Sequence, residues 1–214
     1  MASTSETGHP KNVANFENLI SFVVGFGATY NPSKVTLKVP ALQTQLASCK
    51  ANIASVTSTS VAFNNAVNAR MTAFDGLKKL STRLLNALDA TNASTQLVKD
   101  FKTVNAKVQG SKLTKADAGK TAKLIDPNAP VVETTKTISS SQQSYSSLIE
   151  HIATIITILS TEPTYVPNEN ELKVITLNTL LTSLKNTNTA VINAYTTVSN
   201  ARLSRDQSLY NTTN

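Results

Sequence analysis

Three short stretches of the chain carry residue types that could do chemistry, and the first is Asp-Ala-Gly-Lys-Thr at residues 117–121. It ends like a phosphate-binding loop, in which backbone N–H groups surround phosphate while lysine and threonine contact phosphate and magnesium. Thr114 stands where the first glycine is required, and no hydrophobic strand precedes the stretch. We therefore interpret residues 117–121 as part of a solvated, lysine-rich loop and predict no cofactor.

The other two stretches are the Glu150–His151 pair and the single cysteine, Cys49. Adjacent residues on a helix point about 100° apart, so Glu150 and His151 do not converge on one substrate. Cys49 lies on an apolar helical stripe, and we expect no basic neighbour on its own face of the helix, which favours a small buried hydrophobe over a reactive thiol. One cysteine and two distant histidines also exclude the ordinary structural zinc sites. We predict no catalytic or metal-binding residues and therefore no enzymatic activity.

The composition predicts a surface made polar mainly by neutral groups. Ser, Thr and Asn make up 73 of the 214 residues, whereas charged residues make up 15%. The net charge of +7 is concentrated between residues 99 and 136, where eight lysines face four acidic residues. That stretch has no arginine and only one aromatic residue, Phe101, so it lacks groups that read bases or stack on them. We expect nucleic-acid binding to be weak and nonspecific at most.

An internal repeat organises the chain. A shift of 135 residues aligns residues 29–50 with residues 164–185, with 11 of 22 positions identical, including a Thr-Tyr-x-Pro connector. A shift of 132 aligns Asn-Ala-Arg at 68–70 with Asn-Ala-Arg at 200–202, and a weaker match at 129 relates the apolar segments that precede each connector. Two copies of an apolar segment, a connector and a long amphipathic segment indicate a duplicated helical hairpin.

Apolar residues also recur at alternating steps of three and four, which is the spacing of coiled coils. Three such stripes run through residues 39–88, 174–209 and 131–159, and the third is polar in its first half. The spacing predicts an all-α fold: an elongated antiparallel helical bundle or coiled coil built from the duplicated hairpin, with a short extra helix and a loop inserted.

Turn and capping residues predict the boundaries. We expect a helix over residues 40–88 that is weakened at Gly76, a short helix closed by Gly110, a helix from Pro130 to about residue 160, and an N-cap at Asn168. A single domain is expected, with a flexible polar tail at 1–12, a first hairpin repeat at 13–77, an inserted helical and lysine-rich region at 78–129, a second hairpin repeat at 130–209, and a tail at 210–214.

Four polar residues occupy positions on these stripes. Arg70 and Arg202 both lie in the repeated Asn-Ala-Arg, and a buried guanidinium needs an acceptor or a route to solvent. Thr135 and Gln142 make the third stripe polar, which leaves helix surface for another copy or for the insertion to cover. We predict Arg70, Arg202, Thr135 and Gln142 as candidate interface residues.

The apolar run at residues 19–28 supports a second hypothesis. It is shorter than the roughly 20 residues that cross a bilayer, and the long segment before it, which carries acidic residues, does not match a signal peptide. Such a run can still leave a bundle and meet lipid, with Leu19, Val23, Val24 and Phe26 as the candidate membrane segment. Without a convincing signal or transmembrane helix, we expect a cytoplasmic protein by default, or one exported by a signal-independent route.

The sequence thus favours a non-enzymatic structural or interaction protein whose partner is itself. The duplicated hairpin and the weakly charged surface indicate a self-assembling helical-bundle subunit of a homo-oligomer or filament. The alternative is an α-helical pore-forming or membrane-active protein that uses residues 19–28.

Overall fold

The computed structural model describes residues 8–110 and 142–210 of the protein. Within these ranges the chain forms helices and short 3₁₀ turns without a β-strand, so the predicted all-α class is confirmed. The helices of the described chain are α1 (His9–Gly25), α2 (Val39–Phe74), α3 (Leu77–Asp89), α4 (Thr95–Gln109), α5 (Tyr145–Ser160) and α6 (Val174–Tyr210).

The chain divides into two compact units. In the described part, the first unit comprises residues 8–68 and 190–210, and the second comprises residues 69–110 and 142–189. The division falls inside α2 and inside α6. The first unit therefore contains α1, most of α2 and the end of α6, while the second contains the end of α2, all of α3, α4 and α5, and the start of α6.

The core of the second unit lies among α3, α4, α5 and the start of α6. Its buried side chains include Leu84, Phe101, Ile155 and Leu184, each at most 1% exposed. Helix α4 packs against both α3 and α5. Because burial of one such side chain stabilises a fold by about 1.5–3 kcal/mol, apolar packing is what holds this unit together.

Local sequence sets the ends of α4 and α5. The hydroxyl of Ser94 accepts a hydrogen bond from Leu97 N at 3.2 Å and caps α4, and Ser144 caps α5 in the same way. Helix α4 ends at Gly110, as predicted, with φ 75°. This left-handed conformation favours glycine, and a Cβ at Gly110 would also lie only 3.2 Å from the side chain of Gln143.

The helix expected over residues 40–88 is interrupted. Helix α2 ends at Phe74 and α3 begins at Leu77, with Gly76 between them at φ 77°. The N–H of Gly76 donates to Asp75 Oδ1 at 3.0 Å. Glycine adopts this left-handed conformation at little cost, and aspartate competes for backbone groups, so the pair breaks the helix instead of merely weakening it.

Polar contacts join the helices of the first unit. Glu17 on α1 pairs with Lys50 on α2 at 2.6 Å, and Gln45 Nε2 donates to the backbone oxygen of Ser208 on α6 at 2.6 Å. Cys49 is 2% exposed, and its Sγ lies 3.3 Å from the same oxygen. The thiol is therefore a small buried group, as its place on the stripe predicts.

The start of α1 and the end of α6 contact each other in the first unit. Helix α1 begins at His9, inside the segment expected to be a polar tail, and α6 continues to Tyr210. The phenol of Tyr210 lies 3.2 Å from Asn12 Nδ2 and 3.1 Å from His9 Nδ1. These polar contacts join the two helix ends.

The two Thr-Tyr-x-Pro connectors share one local geometry. The phenol of Tyr30 donates to the backbone oxygen of Leu37 at 2.7 Å, and the phenol of Tyr165 donates to that of Leu172 at 2.9 Å. In each connector the acceptor is the last residue of a 3₁₀ turn, and the long helix begins two residues later. Asn168 is consequently not the N-cap of α6, because a 3₁₀ turn separates it from the helix.

The predicted stripes agree with burial along most of their length. Every member of the stripe over residues 39–88 is buried or partly buried, as are the members of the third stripe from Tyr145 onward. In α6 the prediction is wrong at Tyr195, which is 59% exposed, and at Arg202, because Ala194 and Ala201 turn inward instead. Because steps of three and of four residues both stay on one helix face, the spacing alone did not show whether Ala194 or Tyr195, and Ala201 or Arg202, belongs to the buried stripe.

Candidate interaction sites

Large apolar side chains are exposed mainly in the first unit, and three of them share one side of α1. Leu19, Phe22 and Phe26 are 54%, 71% and 64% exposed. Their spacing of i, i+3 and i+7 places them on one helix face, which we call the α1 apolar face. Single exposed apolar residues are normal at a protein surface, whereas a contiguous stripe that includes two phenylalanines is typical of an interaction site.

The same helix has a buried side. Val13, Ile20 and Val23 are at most 7% exposed. At 100° per residue, Val23 lies only about 40° around the helix from Leu19, so the buried side and the α1 apolar face adjoin. The apolar arc of α1 is therefore wider than the part that the rest of the first unit covers.

The candidate membrane segment is divided between these two sides. Leu19, Val24 and Phe26 are exposed, whereas Val23 is buried in the first unit. Phe22, which was not among the candidate residues, is the most exposed large apolar residue of the run. Among the helices that the structure describes, none is both long and apolar enough to cross a bilayer.

Arg70 lies in a polar cluster inside the second unit. Its Nη1 donates to Asn188 Oδ1 at 3.1 Å, and its guanidinium carbon lies 4.0 Å from the centre of the Tyr145 ring. The Tyr145 ring packs nearly perpendicular to the ring of Phe74, with the ring centres 4.8 Å apart. An amide oxygen and an aromatic face thus compensate the charge, because a guanidinium over a ring is attracted by the ring's quadrupole. Arg70 is engaged within its own chain.

The other three candidate interface residues are in different settings. Arg202, the counterpart of Arg70 in the repeat, is exposed on α6 in the first unit and is not on the buried stripe. Gln142 is exposed in a turn at φ 66°, before α5 begins at Tyr145, so its predicted place on a helical stripe is wrong. Thr135 lies outside the described residues, and its role stays a prediction.

His151 is half-buried on α5, whereas its neighbour Glu150 is exposed. Burial, and to a smaller extent the positive charge of Lys107, lower the pKa of His151, while Glu150 and the backbone of Gln142 oppose that change. The neutral imidazole is therefore favoured at neutral pH. Because Glu150 points to solvent, the two residues form no acid–base pair, as their helical spacing predicts.

A cleft of about 400 Å³ lies in the second unit beside the break between α2 and α3. Leu77, Leu80 and Leu177 contribute to its apolar wall, and Arg83 and Glu171 stand among its charged lining residues. Arg83 donates to both Glu169 and Glu171, which raise the pKa of its guanidinium above the ordinary value. The guanidinium of Arg83 is thus already shared between two carboxylates, so it offers little to an anionic ligand.

The remaining candidates offer little chemistry. Lys99, Lys102 and Lys107 are exposed on α4, while the rest of the lysine-rich stretch and the loop at 117–121 lie outside the described residues. In the described ranges, His, Cys, Asp and Glu form no group of three or more that could hold a metal ion. Comparison of the chain with family models, with curated proteins and with solved structures gives no match.

Proposed function

We propose that this protein is a non-enzymatic, self-associating helical-bundle subunit that works through protein–protein contact. The observation that carries the proposal is the α1 apolar face, where Leu19, Phe22 and Phe26 are exposed side by side. Contact with water costs about 25 cal/mol for each Å² of such surface, so covering it with another protein surface is favourable. Over half of the net charge of +7 lies at residues 99–136, so the rest of the chain, including α1, adds little repulsion between copies.

The bundle is, in this proposal, built from a duplicated helical hairpin. The first copy is α1, its connector and α2, and the second is α5, its connector and α6. The support is the identity of 11 of 22 aligned positions, together with the matching tyrosine-to-carbonyl hydrogen bonds of the two connectors. Two unrelated segments would have no reason to share both the residues and the geometry.

The test of self-association is the mass of the protein in solution. Light scattering over a series of protein concentrations, near physiological salt, should give a mass above 22.8 kDa that rises toward a defined oligomer. A protein that stays at the monomer mass at the highest concentration would overturn the proposal. Enzymatic activity is not needed for this measurement, so the result does not depend on finding a substrate.

A second candidate function is membrane activity, which the exposure of Leu19, Val24 and Phe26 favours. Release of dye from anionic and from neutral vesicles measures it directly. The matched variants are Val24→Lys, at an exposed position, and Val23→Lys, at a buried one. Membrane activity predicts that Val24→Lys abolishes leakage while the protein stays folded, whereas Val23→Lys should unfold the first unit. Absence of leakage with the native protein would remove this candidate.

A further inference from the structure

The second unit contains a helix that lies over the counterpart of α1. In the proposed duplication, a shift of 129 residues relates α1 to α5 and matches Leu19, Phe22 and Phe26 to Leu148, His151 and Ile155. Leu148 and His151 are partly buried, and Ile155 is fully buried. Helix α4 packs against α5, and its Phe101 and Val108 join Ile155 in one buried cluster. The inserted helix thus contributes to covering this side of the second copy.

The first unit has no equivalent of α4 among the residues that the structure describes. One side of the first helix is buried in both copies: Ile20 and Val23 are buried on α1, and their counterparts Ile149 and Ile152 are buried on α5. The adjoining side, which is the α1 apolar face, is exposed. The two copies therefore differ at this side of the hairpin: the second carries a covering helix, and the first presents the corresponding positions to solvent.

We propose that the α1 apolar face of one molecule packs against the α1 apolar face of a second copy, which takes the place that α4 occupies in the second unit. This inference rests on the proposed self-association and names the surface that performs it. An apolar helix is the kind of partner that the second unit already places on this side of the hairpin. A second α1 supplies such a helix, with phenylalanine and leucine side chains at helical spacing.

The charges around the face permit two identical helices to meet. Asn15 and Asn18, which precede the face on α1, are neutral, and Glu17 is engaged by Lys50 at 2.6 Å. The exposed Lys11 is on the same side as Phe22 but lies about two turns before Leu19, away from the centre of the face. Two copies of α1 can therefore approach without two like charges opposing each other at the centre of the contact.

The exposed area is also adequate for a dimer. A phenylalanine presents about 150–250 Å² when fully exposed, so Phe22 and Phe26 at 71% and 64% exposure offer roughly 270 Å² per molecule. Two facing copies would bury roughly 540 Å² from these rings alone, over half of the total of about 1,000 Å² that stable interfaces need. Leu19 and the polar residues around the face supply further area.

A contact between two copies of the same face has a consequence for symmetry. A surface that binds its own copy forms a two-fold contact, and two molecules then cover each other's α1 apolar face. The counterpart of this face on α5 is covered by α4, so it does not offer a second equivalent contact. The α1 contact by itself therefore forms a closed dimer, unlike the ring or filament that two equivalent faces would generate.

Sedimentation equilibrium on three proteins tests this interface: the native chain, Phe22→Gln, and Ile175→Gln as the matched control. Ile175 lies in the second unit and is 74% exposed, close to the 71% of Phe22, so both changes remove an exposed apolar side chain. Phe22→Gln should weaken dimerisation by about 100-fold or more, because each dimer loses two phenyl rings from its interface. Ile175→Gln should dimerise like the native protein, and circular dichroism should show equal helicity in all three.

The possible outcomes distinguish failure of the α1 interface from failure of the proposed self-association. If the native protein associates but Phe22→Gln and a second variant, Phe26→Gln, associate equally well, the α1 interface is wrong while self-association stands. If the native mass keeps growing beyond two copies, closure is wrong. A native monomer overturns both, and a monomer that binds neutral phosphatidylcholine vesicles through Phe22 makes lipid the occupant of the face. Should Phe22→Gln lose helicity, Phe26→Gln carries the test.

Discussion

Replacing Tyr165 by phenylalanine should destabilise the second unit, and replacing Tyr30 should have a much smaller effect on the first. Both phenols donate to a backbone oxygen seven residues later, at 2.9 Å for Tyr165 and 2.7 Å for Tyr30. Tyr165 is 7% exposed, whereas the bond of Tyr30 is open to solvent. The pair therefore compares one interaction in two environments.

The size of each effect follows from burial. Tyr165→Phe removes the donor to a buried carbonyl oxygen, which water does not readily replace, so we expect a loss of about 1–3 kcal/mol in the free energy of unfolding. At Tyr30 water can take the place of the phenol, and the loss should stay below about 1 kcal/mol. Both changes keep the aromatic ring and its packing.

The contribution of Tyr165 should also depend on pH. Burial, followed by the negative charge of Glu169, raises the pKa of Tyr165 to about 12. The unfolded tyrosine ionises near pH 10, so its stabilising contribution is complete below about pH 10 and is lost as the pH rises through about 12. Between about pH 9 and pH 11, the stability advantage of the native protein over Tyr165→Phe should shrink by about 1.4 kcal/mol.

Urea unfolding of the native protein and both variants, followed by circular dichroism at several pH values, measures these differences. Tyr165→Phe is the control above pH 10, because it lacks the phenol whose ionisation is being measured. Equal losses for Tyr30→Phe and Tyr165→Phe would refute the argument from burial. A difference between native protein and Tyr165→Phe that stays constant above pH 10 would refute the raised pKa.

Three further results are expected. Gly76→Ala should lower the free energy of unfolding by about 1–2 kcal/mol, because the φ of 77° at Gly76 is left-handed. Gly25→Ala, with open space around the added Cβ, should raise it by about 0.5 kcal/mol, and equal changes in melting temperature for the two variants would contradict this. Arg70→Ala should lower the free energy of unfolding by about 1–3 kcal/mol, because Asn188 Oδ1 loses its donor. Arg202→Ala should lower it by less than about 0.5 kcal/mol, and denaturant unfolding that ranks the two variants the other way would contradict this. Cys49, 2% exposed, should react with a maleimide at least about 100-fold more slowly in native than in unfolded protein, and rapid native labelling would disprove its burial.

Much of the helical fold was predictable because the spacing of apolar residues along a helix indicates which side of that helix is buried. The stripe over residues 39–88 was identified from spacing alone, and none of its members is exposed. The glycine at 110 likewise ends α4, since a left-handed C-cap is a local property that a short stretch of sequence encodes. At Gly76 the sequence predicted a weakened helix, whereas in the structure α2 ends before this glycine and α3 begins after it.

The candidate interaction surface was predictable only in part. The apolar run at 19–28 was visible in the sequence, but the burial of Val23 and the exposure of Phe22 were not. Which side of an apolar helix is covered depends on residues far away in sequence, and spacing within the helix does not contain that information. The partner of Arg70 was similarly out of reach, because Asn188 lies 118 residues further along the chain.

The composition of the two units has a consequence for folding during synthesis. The second unit comes from one uninterrupted stretch of chain, residues 69–189, so all of its parts leave the ribosome in sequence and can fold as they appear. The first unit contains α1 and most of α2 but is completed by α6 residues beyond 189. Its contact between Gln45 and Ser208, for example, spans 163 residues. Helix α1 and most of α2 must therefore wait, with their apolar sides incompletely covered, until residues 190–210 have left the ribosome. The nascent chain should bind chaperones more readily at α1 and α2 than at residues 69–189.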